Sequence, residues 1–492
     1  MKIPFTGQTS KAFARAVNGQ ETVNWYPAKT GDGKHELVLY PTPGLKSFAS
    51  IGTGPFRGAI ETSSGTFIVT GNEVYKLVDP TGGALVGTIG TTTGHVSMAF
   101  NPTTLVIVDG SEGYYVTLAT AAAVTQITTA NFPGNGGMDV VGPPAITSLA
   151  PTHIVFVDGY FLVNDPGFAG RFQVSPSYFT GTEAWDSSLY ATAERSPDNL
   201  KAISVNHRTV YLHGANTTEP WYNSGASPMP FTPIASALLE VGMGAAFSVA
   251  KHEQQTVWLA KSGVEGGIQV IAATGPQVTI ISNPDLEYQF STYTITSDAE
   301  GWCYQQAGHA FYVLTFPTQD ITWVYDFSVG AWHNRASYGL GRWRATKHAM
   351  LNNKHIVGDY NSGAVYTLDL GTYTDNGDPI VRTRITQHIH DDNDGWLFFS
   401  KVYLEFEHGV GDNTTTNPLV SLQWSDDHGN TWSNELFRSL GAIGNYKTCA
   451  YFNQLGRSKD RVFKIIVSDP VKAVFLGGYA EVRSEATERR RG

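Results

Sequence analysis

The stretch Ser425-Asp426-Asp427-His428-Gly429-Asn430-Thr431-Trp432 fits the pattern Ser-x-Asp-x-Gly-x-Thr-Trp, an Asp box. Its chemistry is that of a turn. The Asp427 carboxylate can accept hydrogen bonds from turn amides, Gly429 can take positive φ, and the Trp432 ring can pack beneath. Ser425, Asp427, Gly429, Thr431 and Trp432 are therefore expected to be structural, not catalytic. A second cluster, His388, His390, Asp391, Asp392 and Asp394 before Gly395, gathers donors that a hard cation could use. The register of a calcium loop fails there, because with Gly395 sixth, His390 stands first and Lys401 twelfth, where Asp and a bidentate Glu are needed. An exposed acidic turn is expected, with no metal and no cofactor. The sequence contains no nucleophile elbow, phosphate loop or zinc helix. Glu405 and Glu407 share a strand face by periodicity alone, and only their spatial separation could make them a glycosidic pair. No catalytic set is expected.

The elements that must hold these residues are legible in composition and repeats. The 492 residues carry 33 Lys and Arg against 43 Asp and Glu, a formal charge of −10, with only 15% charged residues. This balance excludes a basic nucleic-acid clamp. Fifty-two Gly and 24 Pro make the chain rich in turns, yet below the level of a disordered polymer. Two cysteines, Cys303 and Cys449, are too few and too distant for a disulfide framework, and both are expected as buried small apolar residues. Met1 to Gly7 lacks the unbroken apolar stretch of an export signal, and no apolar run is long enough to span a bilayer.

Seven hairpins recur between residues 56 and 375. They are Thr66–Val69 with Val74–Leu77, Leu105–Val108 with Tyr114–Val116, Ile154–Val157 with Tyr160–Val163, and Thr209–Leu212 with Trp221–Tyr222. The series continues with Val257–Leu259 and Ile268–Ile271, Phe311–Leu314 and Thr322–Tyr325, and His355–Val357 and Val365–Leu368. Their spacing matches a four-stranded blade of about 40–50 residues. Continuous apolar strands indicate burial on both faces. The fold class is all-β: a six- or seven-bladed β-propeller over 56–375, preceded by an N-terminal docking segment, 1–55. The best helical candidate is Ser236 to Ala250, weakened by Gly242 and Gly244. Turn-rich Thr374 to Pro379 ends the repeat. Longer strands at Phe398–Phe406, Leu419–Trp424, Arg461–Ser468 and Val471–Gly477 suggest a β-sandwich-like domain, 376–485, before a basic tail, 486–492.

The N-terminal region carries Gln20-Glu21-Thr22-Val23-Asn24-Trp25-Tyr26-Pro27, then Leu39-Tyr40-Pro41-Thr42-Pro43-Gly44-Leu45 and Phe56-Arg57-Gly58. Together with Trp323-Val324-Tyr325-Asp326 and Gly330-Ala331-Trp332-His333, this order resembles the packaged-DNA stabilisation proteins, the tail hub or nozzle of short-tailed bacteriophages. The resemblance implies a non-enzymatic virion protein, assembled in the host cytoplasm as a homo-hexameric ring under the portal and adaptor. It implies neighbours among tail fibres or spikes and a plug or needle, and double-stranded DNA that passes through without sequence-specific binding. Asn24, Trp25, Tyr26, Pro27, Arg489, Arg490 and Arg491 are candidate assembly contacts, with a local core as the other reading of Trp25 and Tyr26. A channel wall that is neutral or acidic is expected, since duplex DNA adheres where Lys and Arg replace its counterions. The alternative is a glycan-binding or glycan-cleaving propeller of the virion, because sialidases carry Asp boxes.

Overall fold

The computed structural model describes residues 2–3, 5–31, 35–80, 82–135, 149–193, 198–235, 237–262, 266–411 and 413–484. Among these, seven four-stranded units succeed one another. The first comprises Phe56–Thr62, Gly65–Thr70, Glu73–Val78 and Gly82–Thr88, all antiparallel. Units with the same hairpin order begin at Ser97–Phe100, Ile154–Val157, Ala202–Asn206 and Glu300–Gln306. In the unit between the last two, Val241–Met243 and Ala250–His252 share the inner position beside Gln255–Ser262. The seventh, Ala345–Leu351, Lys354–Asp359 and Ala364–Asp369, takes its fourth strand from Gly44–Ser50.

The central strands explain why the apolar runs are continuous. Successive side chains of a strand point to opposite faces, and here each face feeds a different core. Phe67 and Val69 pack with Leu105 and Ile107 of the next unit, while Ile68, between them, packs with Ile356 of the last. Val106 and Val108 then face Phe161 and Val163, and Leu162 faces Val210 and Leu212. Tyr211 meets Trp258, Leu259 meets Tyr312 and Leu314, and Val313 meets Val357. The circuit closes where the seventh unit meets the first. Gly358 permits that approach: a Cβ there would stand 1.8 Å from the Phe56 ring.

The residues expected to form a separate segment, 1–55, supply strands to three of the chain's sheets. Besides Gly44–Ser50, Gly19–Val23 lies between Ala331–Arg335 of the sixth unit and Arg382–Ile385. Arg382–Ile385 pairs with Asp460–Val467, which pairs with Leu419–Ser425, so one eleven-stranded sheet runs from the sixth unit into the C-terminal domain. The opposing sheet contains Trp25–Lys29, Leu37–Pro41, Phe475–Ser484, Leu397–Phe406 and Ala450–Asn453. A core including Trp25, Val402, Leu404, Val420, Leu422, Phe463, Ile465 and Phe475 fills the space between the sheets. This is a β-sandwich, and its strands begin near the expected positions except the last. Val471 to Val474 lies outside any strand, and the strand runs from Phe475 to Ser484.

The helical expectation is corrected. Within Ser236 to Ala250 the described residues hold the strand Val241–Met243 and one 3-10 turn, Ala246–Ser248. Among the described residues the α-helix is Pro284–Ser291, started by Asn283, whose side chain accepts from the Leu286 amide, with Pro284 at the first position. Cys303 and Cys449 are free but half-buried, less enclosed than expected.

Arg384 locks the N-terminal segment into this framework. It is fully buried and donates from Nε to Phe5 O at 2.8 Å, from Nη1 to Gln8 O at 3.0 Å and from Nη1 to Thr22 Oγ1 at 2.9 Å. Burial lowers its pKa to about 9, so it stays charged at neutral pH, held by carbonyl and hydroxyl oxygens. Removing it orphans those acceptors in a dry interior. Arg384→Ala is expected to cost about 3 kcal/mol, because several buried acceptors each lose a bond from a charged donor. Denaturant unfolding measures the loss, and proteolysis should then cut first within residues 5–31.

Candidate functional site

Asn24, Trp25, Tyr26 and Pro27 sit where propeller and sandwich meet. Asn24 takes φ +57, a left-handed conformation that Asn tolerates better than most residues. Its Nδ2 donates to Ala336 O and to Val381 O, each at 2.9 Å, and its Oδ1 accepts from the Ala336 amide at 3.0 Å. One side chain thus ties the sixth unit to the segment entering the sandwich. The next two residues point opposite ways. Trp25 enters the sandwich core and donates from Nε1 to Ala473 O at 2.8 Å. Tyr26 enters the core between the sixth and seventh units, edge-on to Phe311 at 5.2 Å. Asn24 is 3%, Trp25 0% and Tyr26 5% exposed, and Pro27 is buried too, so the expected contact with a neighbouring subunit is corrected to an internal one. Arg489, Arg490 and Arg491 lie outside the described residues.

The Asp box forms the turn its residue types require. Asp427 accepts from the amides of Asn430 and Thr431 at 3.0 and 2.8 Å and from Thr431 Oγ1 at 2.6 Å. Ser425 Oγ donates to Asp427 at 2.6 Å and accepts from the Gly429 amide at 2.8 Å. These bonds, those from Ser425 and Thr431 foremost, hold the Asp427 carboxyl well below the usual range. Gly429 has φ +86, and the half-buried Trp432 ring lies against it. The carboxylate is consumed by the turn, which leaves it no free lone-pair direction for acid–base work.

The acidic stretch forms a turn with Asp392 and Asp394 exposed, and Asp394 pairs with Lys459 at 2.9 Å. His388 turns away from it toward Asp460 and His428, a grouping that spacing in sequence could not show. Glu405 and Glu407 have separate partners, His35 at 3.3 Å and Lys472 at 3.0 Å.

A cavity of about 830 Å³ occupies the propeller axis, lined by inner strands together with His153, Phe247, Lys251 and Lys347. His95 and His153 both stack on Phe247, at 3.8 and 4.6 Å between ring centroids. Burial pushes both histidines down to about 4. Burial opposes the ionisation of Glu300, yet Lys347, at 2.9 Å, and His95 bring its carboxyl down to about 2. The volume is that of a small-molecule pocket.

Two outcomes are expected. Trp25→Ala and Tyr26→Ala each remove a buried aromatic and should cost about 3–5 kcal/mol. Hydrogen exchange should rise in the sandwich for the first and in the sixth and seventh units for the second. Acid should also weaken the fold. His213, enclosed beside Ser204, is pushed down to about 3, and with His95 and His153 it stays neutral while the unfolded chain gains protons near pH 6.5. Stability is therefore full above that pH and falls as pH drops toward 4, by on the order of 2–3 kcal/mol per group. Asp375, raised to about 6 by burial, acts in the opposite sense but is one group against three. Calorimetry at pH 7.5 and 4.5 checks the sign.

No curated protein matches this chain. Solved structures with some similarity include the WD40 beta propeller domain of Doa1, at 12% identity over 66% of this chain and 96% of that one, with a TM-score of 0.38. The computationally designed Ika8 protein gives 11% identity, coverage of 74% and 100%, and a TM-score of 0.36. The N-terminal domain of Nup159 gives 8% identity, coverage of 71% and 99%, and a TM-score of 0.40. The family description "Bacteriophage P22 Gp10, beta-propeller" matches residues 1–373, and "Bacteriophage P22 Gp10, beta-sandwich" matches residues 382–483. With both its domains matched in order, the chain belongs to the bacteriophage P22 Gp10 family of phage structural proteins that stabilise packaged DNA.

Proposed function

We propose that the protein is the tail hub or nozzle of a short-tailed phage, a non-enzymatic component that retains packaged DNA and passes it during ejection. The observation that carries this reading is the family match to both domains, over 1–373 and 382–483. In the proposed assembly six copies form a ring beneath the portal and adaptor, with fibres or spikes and a plug or needle as further neighbours. It is built in the host cytoplasm and resides in the virion tail. Within each copy, 56–375 forms a seven-bladed propeller, 376–485 the sandwich and 1–55 the segment that clasps them.

Geometry and charge support the reading. In this reading the conduit is the space enclosed between copies, and the axial cavity of each propeller, about 830 Å³, has the volume of a small-molecule pocket. Six copies at −10 each carry −60. Duplex DNA has one negative charge about every 1.7 Å, and a wall that offers no stripe of Lys and Arg gives it nothing to exchange for its counterions. One sheet continues from propeller into sandwich within each copy. Among the described residues no helix is long and apolar enough to cross a membrane.

Electron microscopy of the purified chain with its adaptor is expected to show a six-fold ring whose lumen admits a duplex and whose wall is neutral or acidic. A continuous basic stripe around that lumen would overturn the sliding mechanism. A lone subunit that hydrolyses capsular polysaccharide or a sialoside would replace the conduit with a glycan-cleaving propeller.

A further inference from the structure

The imidazoles of His388 and His428 and the carboxylate of Asp460 converge where three parts of the chain meet. Their ligand atoms all lie within 4.8 Å of one another. His388 Nδ1 is 2.8 Å from Asp460 Oδ2, and His428 Nδ1 is 3.0 Å from the same oxygen. His388 precedes Ile389–His390, which pairs with the start of Asp460–Val467. His428 is the Asp-box residue between Asp427 and Gly429, at φ +62. Arg461 is engaged by Asp426, at 2.6 Å, which leaves Asp460 to the two rings.

His388 Nε2 stands 2.7 Å from Arg15 O, and a carbonyl only accepts, so Nε2 carries the hydrogen. In the neutral ring Nδ1 then presents a lone pair to a carboxylate that also offers only lone pairs. A second ring nitrogen, from His428, approaches the same oxygen. A positive charge reconciles these lone pairs, carried either by a second proton on a ring nitrogen or by a cation in its place. Metal-bound histidines characteristically donate their other ring N–H to a backbone carbonyl or carboxylate, as His388 does to Arg15. Beside the cluster opens a cavity of about 430 Å³, bordered by Glu21, Gln289, His388, His428 and Trp432.

We propose that His388 Nδ1, His428 Nδ1 and Asp460 Oδ2 bind a divalent cation of the zinc type, with water from the adjoining cavity as fourth ligand. Two imidazoles and one carboxylate suit Zn²⁺ and disfavour Ca²⁺ or Mg²⁺, which take oxygen ligands. Tetrahedral Zn²⁺ with ligands near 2.0–2.2 Å sets ligand atoms about 3.3 Å apart. With His388 8% exposed and held by Arg15 O, both nitrogen-to-oxygen distances widen by a few tenths of an ångström through movement of Asp460 and His428, whose side chains are 25% and 41% exposed. The ion would join the Asp box to the sandwich strand and, through His388, to the backbone at Arg15. This site does not depend on the conduit reading.

The test uses the full chain without a histidine tag, stripped with chelator and titrated with zinc chloride, with bound metal counted by mass spectrometry. One zinc per chain is expected, with Kd on the order of 1 µM or tighter. His428→Asn, which keeps a residue tolerant of positive φ, and Asp460→Asn should each weaken binding at least about tenfold. Affinity should fall on acidification, because protons compete for the nitrogens. His355→Ala should leave uptake unchanged; it breaks the other close histidine pair, His348 and His355, at 3.0 Å. The unfolding temperature of His428→Asn in chelator should equal that of the parent, which separates lost binding from lost fold. Absence of zinc uptake, or uptake equal to the parent's in both ligand variants, would overturn the proposal.

Discussion

The two-residue period of a β-strand governs this molecule. Each central propeller strand is apolar at consecutive positions because each of its faces must be covered, and only a neighbouring sheet on either side can cover both. Ile68 and Val69 illustrate the rule: adjacent in sequence, they belong to cores on opposite sides of one sheet. A chain obeying it cannot stop at an open end without exposing an apolar face. The circuit that closes through Gly358 and Phe56 is the resolution.

The same period fastens the two domains. Trp25 and Tyr26 are neighbours on one strand, and their opposite orientation plants one in the sandwich and the other in the propeller. Asn24 adds hydrogen bonds across the seam, and Arg384 binds the chain just upstream. The composition, with only 15% charged residues, fits a protein that spends its polar groups on such internal connections. Buried charge is met in different ways: Arg171 pairs with Asp165, while Arg335 lies over the rings of Phe311 and Trp343.

Much of this architecture was legible before the structure. All seven hairpins coincide with paired strands, since a hairpin is local and its apolar run and turn residues lie within about a dozen positions. The Asp box was equally readable because its hydrogen bonds span only a few residues. What escaped was long-range. Nothing in Gly44 to Ser50 announces that its partner is Ala364–Asp369, and Trp25 reads alike as an exposed contact or a core residue until its surroundings are known. His388, His428 and Asp460 come from separate stretches, so their convergence follows from strand pairing alone. The helix at Pro284 had a usable signal in Asn283-Pro284-Asp285, a capping residue before a proline, which a search for apolar periodicity passes over.

The strand Gly44–Ser50 has a consequence for synthesis. It leaves the ribosome before any blade, yet its partner Ala364–Asp369 follows roughly three hundred residues later. At about 5–20 residues per second, the early strand waits on the order of 15–60 s with its edge unmet. Nascent chains of this protein therefore accumulate a nearly finished toroid that only the last blade can latch, and premature termination anywhere before it leaves an open, adhesive product instead of a smaller working one.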